Sequence, residues 1–262
     1  MFEFYAAVEA YLHRVFNVET QLVQSQYDPL EDPMILSDRV DIAFICGLPF
    51  ARRHQVASKQ LQALVAPVMQ HPRYKNRPIY FADIIVKQDS PFLRFDDLAG
   101  QTLCYNDLGS NSGYNLLRQR LIQGNYPSQF FGKAIQSGSH QQSIRLVIEE
   151  LADCAAIDST VIEQELRDFP ELAHHLRVIE SIGPCLMPPV VVAQRLGTAL
   201  IQELQSALLH PDSELNAAMK RSHIQHYATV QSEEYAGLGD LYHKAIHAGY
   251  EAISQEQRNP SH

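Results

Sequence analysis

The sequence predicts an α/β protein of two lobes, and three observations carry that prediction. Short apolar runs alternate with segments of helical spacing along nearly all 262 residues, as expected of sheets covered by helices. Two strand-like runs stand apart: YFADIIVK from Tyr80 follows the proline-bearing loop His71 to Pro78, and MPPVVVAQ from Met187 opens on Pro188-Pro189. The stretch between them is a self-contained α/β set. The economical topology is therefore discontinuous, with 1–82 and 186–262 as lobe 1, 83–185 as lobe 2, and two extended strands crossing between them. Ligands of such proteins sit in the cleft where strand ends and helix N-termini converge, and hinge closure follows.

Taken in order, Glu3 to Phe16 places apolar and aromatic residues at helical spacing, and Thr20 to Ser25 alternates like a strand. Asp41 to Cys46 is a continuous apolar run ending at Gly47, the signature of a parallel strand covered on both faces. Leu61 to Val68 repeats it, as do 80–87, 102–105, 132–136, 153–157, 176–180 and 189–193. Helices are expected at 111–122, 139–150, 159–167, 198–209 and 231–248, and mainly parallel sheets follow from the alternation.

Bulk composition narrows the function classes. The chain is 45 % hydrophobic and 19 % charged with a net charge of −9, and no basic run exceeds Arg52-Arg53. A nucleic-acid partner is not expected. No apolar run approaches the length of a membrane span. The four cysteines, Cys46, Cys104, Cys154 and Cys185, lack CxxC spacing and read as buried free thiols, so no metal, cofactor or disulfide framework is expected.

The chemistry concentrates at strand-to-helix junctions. Between the strand Thr102–Tyr105 and the helix from Leu116 lies Asn106-Asp107-Leu108-Gly109-Ser110-Asn111-Ser112-Gly113-Tyr114-Asn115. A small polar loop opening a helix presents unpaired N–H groups and hydroxyls at the positive end of a dipole, which holds an oxyanion without a lysine or arginine. The same residues also serve as ordinary loop and cap residues. Ser137-Gly138-Ser139-His140 forms a second junction, where His140 is either a donor to an anion or a surface cap. Asp158, at the third, is an N-cap or the acceptor of an acidic ligand proton. Tyr27 and Tyr80, in or beside lobe 1, either reach across with their phenols or are ordinary interface residues.

These residues resemble a family. The Tyr105–Tyr114 loop, the Gly138-Ser139-His140 turn, the Ala155-Ala156-Ile157-Asp158-Ser159 strand end and the Pro188-Pro189-Val190-Val191-Val192 crossover are similar to the phosphate, phosphite and phosphonate substrate-binding proteins of ABC transporters. The similarity runs in order from Phe2 to Tyr250. It implies the type 2 periplasmic-binding-protein fold and non-enzymatic binding of a small phosphorus oxyanion in the cleft, with a transporter permease as partner. It also implies that Ser110, Asn111 and Ser112 hold the anion, that His140, Tyr27 and Tyr80 donate from other sides, and that Asp158 faces it.

Two departures qualify the ligand and the start. The family's loop reads Ser-Thr-Ser-Gly-Tyr, whereas this chain has Asn111 at the second position. Where relatives that bind aminoalkyl phosphonates carry carboxylates, this chain has Thr160 and Pro188, so phosphite, phosphate or a simple alkylphosphonate fits better than an aminated one. Family members open with a strand that lies centrally in the first lobe, and the resemblance implies that this first strand of lobe 1 is missing before the opening helix. The protein is expected in the periplasm if that start is truncated, and in the cytoplasm if Met1 is the true beginning. Three rival readings stay open: a cytosolic sensory domain of the same fold, binding of a different anion such as a sulfonate, and a hydrolase using Ser112, His140 and Asp158, although no G-x-S-x-G elbow is present.

Overall fold

The computed structural model describes residues 2–258. The elements begin with α1 (Phe2–Phe16), α2 (Pro33–Leu36), β1 (Ile42–Phe44), α3 (Gly47–Val56), β2 (Leu61–Met69) and β3 (Ile79–Lys87). There follow β4 (Thr102–Tyr105), a π-helical turn (Asn111–Asn115) running into α4 (Leu116–Gln123), β5 (Phe131–Gln136) and α5 (His140–Ile148). Next come β6 (Cys154–Asp158), α6 (Ser159–Asp168), β7 (Leu176–Leu186), β8 (Val190–Ala193) and α7 (Thr198–Leu209). The described chain closes with α8 (Ser213–Arg221), β9 (Ile224–Thr229), α9 (Ala236–His247) and β10 (Ser254–Arg258).

The chain forms two compact units. The first comprises the chain up to Ile79 together with Leu186–Leu238, and the second comprises Tyr80–Cys185 together with the chain from Gly239 onward. The expected boundaries put all of 186–262 in lobe 1. The structure instead gives the last segment to the second unit, because β10 pairs in parallel with β5 and Ile253 is buried in that unit's core.

The first unit is a four-stranded sheet ordered β1-β8-β2-β9, and every pair in it is antiparallel. Mainly parallel pairing was expected. β1 and β2 do run in the same direction, but β8 returns from later in the chain and inserts between them in reverse. A run such as VVVA, with all four residues buried, does not encode its direction. Tyr235, fully buried, donates to the Met187 carbonyl at 2.8 Å and meets Phe50 edge-on at 5.5 Å between centroids.

Thr20 to Ser25 is not a strand. Its alternating side chains are exposed or half-exposed, and its backbone joins no ladder, so the pattern lacks the partner that strand hydrogen bonding requires. Cys46, expected to be buried, is exposed at the N-cap of α3; the other three thiols are buried or half-buried, and all four are free.

The second unit is a six-stranded sheet ordered β10-β5-β4-β6-β3-β7. β10, β5, β4 and β6 run parallel, and β3 runs antiparallel to β6. One face packs on Tyr105, Tyr114, Leu117, Phe95, Phe130 and Phe131; the other packs on Ile85, Cys104, Ile144, Val147 and Ile157 beneath α5 and α6. Parallel strands β4, β5 and β6 end at one edge of the sheet, so the loops after them share that edge. β3 enters the sheet there, since Ala82 lies opposite Asp158. Topology alone thus brings four chain segments together.

Candidate functional site

The loop after β4 is shaped by its own polar side chains. Ser110 caps the helix start, its Oγ accepting from the Gly113 N–H at 3.0 Å. Asn111 and Ser112 are the first two helical residues, whose N–H groups have no intrahelical acceptor. The turn opens as a π-helix (Asn111–Asn115) before tightening into α4, and such wide turns recur at functional sites. An ideal Cβ on Gly113 would lie 1.9 Å from Asn106 Oδ1 and 3.1 Å from Ser110 Oγ, so only glycine fits there. Ser110, Asn111 and Ser112 are 8, 4 and 4 % exposed.

The loop after β5 is tied directly to this one. The Ser137 N–H donates to the Tyr105 carbonyl at 2.8 Å and the Gly138 N–H donates to the Asn106 carbonyl at 3.0 Å. Gly138 has φ +86°, a left-handed turn that glycine adopts without strain. Ser139 then caps α5 through its Oγ, which accepts from the Gln142 N–H at 3.1 Å. These constraints set His140 Nε2 3.1 Å from Ser112 Oγ. Burial pushes the His140 imidazolium down to a pKa of about 4, so the ring is neutral near pH 7. Its Nδ1 is buried and has no hydrogen-bond partner.

Asn111 is held more firmly than a simple ligand donor. Its Nδ2 donates to Tyr80 Oη at 2.7 Å, and its Oδ1 accepts from Asn115 Nδ2 at 3.0 Å. Burial pushes the Cys185 thiol up to about 11, and the neighbouring Asn111 amide holds it back. The amide therefore fixes Tyr80, at the start of β3, against the loop. Asn115, wholly buried, and Cys185, at the end of β7, adjoin the candidate site and were not singled out from the sequence. Asn115 has a legible sign, lying one helical turn after Asn111. Cys185 has none, being far away in the chain.

Asp158 ends β6 and caps α6. Its Oδ1 accepts from both the N–H and the Oγ1 of Thr160, each at 2.8 Å. Burial raises its pKa to about 6; the Thr160 hydrogen bonds oppose that rise and the nearby Asp83 carboxylate adds to it. Its neighbour Ser159 is fully buried, and its Oγ accepts from the Phe81 N–H at 3.0 Å, locking β3 beside the Asp158 junction.

Six of the seven expected residues, Tyr80, Ser110, Asn111, Ser112, His140 and Asp158, thus lie on this one unit, at the shared sheet edge. Tyr27 belongs to the first unit, where it is 63 % exposed and its N–H donates to Ser25 Oγ at 3.0 Å. The assembled groups are neutral donors at helix starts plus one carboxyl poised near neutrality. They suit an oxyanion that brings its own proton. Among the described residues no helix is long and apolar enough to cross a membrane.

Over residues 1–235 the chain matches the family described as ABC transporter, phosphonate, periplasmic substrate-binding protein. No curated protein sequence matches it. Among solved structures, PhnD1 from Prochlorococcus marinus in complex with methylphosphonate superposes with a TM-score of 0.79 at 17 % identity, covering 93 % of this chain and 92 % of that one. A binding-protein component of an ABC phosphonate transporter from Pseudomonas aeruginosa gives 0.76 at 16 % identity, covering 94 % and 83 %. The periplasmic aliphatic sulphonate binding protein SsuA from Escherichia coli gives 0.64 at 15 % identity, covering 96 % and 86 %. At these identities the likeness fixes the fold.

Proposed function

The chain belongs to the phosphonate-type periplasmic substrate-binding proteins of ABC transporters, and from that premise we propose that it captures a small phosphorus oxyanion, namely phosphite, phosphate or a simple alkylphosphonate. Ser110, Ser112 and the N–H groups of Asn111 and Ser112 hold the anion. His140 donates through or beside Ser112, and Tyr80 is aimed by Asn111. Asp158 accepts the proton of a P–OH group, which selects the monoprotonated form. Tyr27 is the further donor that the family resemblance assigns. The loaded protein delivers its ligand to a membrane permease from the periplasm.

The observation that carries this reading is the 3.1 Å Ser112–His140 contact on two adjacent helix starts. The same pair belongs to hydrolytic triads, but catalysis there needs a carboxylate on the other ring nitrogen. His140 Nδ1 has no partner, and Asp158 Oδ1 is engaged by Thr160. Both facts support binding without turnover. Thr160 supplies no second carboxylate for an ammonium group, which favours an unaminated ligand.

Titration calorimetry with phosphite, phosphate and methylphosphonate, using sulfate and taurine as controls, tests the proposal. A hydrogen bond to a charged group contributes about 1.5–3 kcal/mol, so Ser112→Ala is expected to weaken the preferred phosphorus ligand by roughly 10- to 100-fold. Ligand at a thousand times its Kd stabilises a protein by about 4 kcal/mol, which a thermal shift detects readily. Silence toward all three phosphorus ligands in both assays overturns the assignment.

A further inference from the structure

α4 carries two arginines with opposite surroundings. Arg120 is partly exposed and forms an ion pair with Glu180. Arg118 is only 4 % exposed. Its Nη2 donates to the Glu251 carbonyl at 2.7 Å, while its Nε and Nη1 are buried without any hydrogen-bond partner. Its guanidinium carbon lies 4.5 Å from the centre of the Tyr114 ring and 5.5 Å from that of Tyr242. Among the described residues no carboxylate pairs with it. The Tyr105 hydroxyl, another buried group without a partner, belongs to the same core as Tyr114.

An arginine keeps its charge at any working pH. Burying one without a counter-charge is unfavourable, and ring faces offset only part of the loss. Arg118 follows Ser112 by six residues on one continuous helical segment, a backbone offset of about 9 Å along the axis. Helical side chains lean toward the N-terminus, here onto Tyr114, one turn nearer the loop.

We infer that Arg118 is the charge-compensating residue of the anion site: it touches no ligand, and its positive field stabilises the charge that the neutral donors of the loop enclose. The inference rests on the anion-binding reading above. A buried cation at that range, in a medium of effective dielectric near 20, changes affinity by roughly tenfold per unit of ligand charge. The same charge destabilises the empty protein, so the position exchanges stability for affinity. The Asp158 carboxyl pulls the other way by favouring the monoprotonated ligand, and the two together limit the site to small anions that still carry an acidic proton.

The test compares Arg118→Met, Arg118→Lys and the parent, first without ligand and then with methylphosphonate below and above its second ionisation. The expected result has three parts. Arg118→Met without ligand is at least as thermally stable as the parent, because an unpaired buried charge has gone. Its methylphosphonate affinity falls about tenfold for the monoanion and more steeply for the dianion. Arg118→Lys keeps affinity within about threefold of the parent.

A merely structural arginine gives a different result, with lower stability when empty and equal losses at both pH values; that outcome overturns the inference, as does Met-variant affinity within threefold of the parent. Should Arg118→Met fail to fold while Arg118→Gln also melts well below the parent, the role is structural and the inference falls. A parent that binds no phosphorus anion is a separate result, because it refutes the functional reading itself and the inference with it.

Discussion

Gly113→Ala is expected to reduce ligand affinity by more than 100-fold while leaving the protein folded. The added methyl would lie 1.9 Å from Asn106 Oδ1 and 3.1 Å from Ser110 Oγ. The Asn106 side chain is held in place, its Nδ2 donating to Asp107 Oδ2 at 3.0 Å and its Oδ1 buried, and its backbone is fixed by the Gly138 N–H on its carbonyl. Relief therefore comes from moving the loop, with the Ser110 cap and the Ser112 hydroxyl carried along. Overpacking of this kind costs about 1–3 kcal/mol of stability, and a donor set displaced by about 1 Å loses roughly two orders of magnitude in function. Chemical denaturation of the variant measures the loss of stability and titration calorimetry the loss of affinity. The double variant Gly113→Ala/Asn106→Ala should regain at least tenfold of the lost affinity by opening the space. Unchanged affinity in the single variant refutes the steric account.

Asp158→Asn is the second large effect, and its sign depends on pH. The Asp158 carboxyl titrates near 6 in the folded state because burial raises it from 3.8. A folded-state pKa above the unfolded one stabilises fully below about 3.8 and loses that contribution as pH rises through about 6. His140 is shifted the other way, from 6.5 to about 4. Its contribution is present above about 6.5 and is lost as pH falls toward 4. Between pH 4 and 6 the two slopes oppose each other, so the parent should be nearly flat there. The asparagine still caps α6 but removes one slope. At pH 7.5 the variant should be more stable by up to about 3 kcal/mol, and from pH 6.5 to 4 it should lose a similar amount, which the parent does not. Denaturant titrations across that range decide the matter; a variant no more stable than the parent at pH 7.5 refutes it. Calorimetry on the same protein should show a weakened preference for monoprotonated ligands.

Much of the convergence at the candidate site was legible in the sequence because its residues cluster locally. Ser110 to Gly113 follow an apolar strand and open a helix, and each residue type there has one physical use: hydroxyl cap, amide, hydroxyl donor, and glycine where no side chain fits. The Gly138 and Asp158 junctions were visible for the same reason. What stayed hidden depends on contacts between distant segments. Cys185 comes near Asn111 through the neighbouring strands β7 and β3 of the sheet. Arg118 reads as an ordinary polar position on a helix; its burial depends on the rings of Tyr114 and Tyr242 and on the Glu251 carbonyl. The reversed direction of β8 was equally invisible, since valines buried on both faces serve either orientation. The apparent strand at Thr20 to Ser25 failed for the converse reason: alternation describes a face, and a face needs something to cover it.

The chain visits the second unit twice, and the late visit is not ornamental. Arg118 donates to the carbonyl of Glu251, Ile253 is wholly buried, and β10 extends the sheet beside β5. A contiguous fragment spanning only Tyr80 to Cys185 would therefore contain six of the seven candidate site residues yet lack a flank of its own scaffold. Producing the second unit as a stand-alone module accordingly requires splicing the distal stretch from Gly239 back onto it, by fusion or circular permutation, rather than excising a single block.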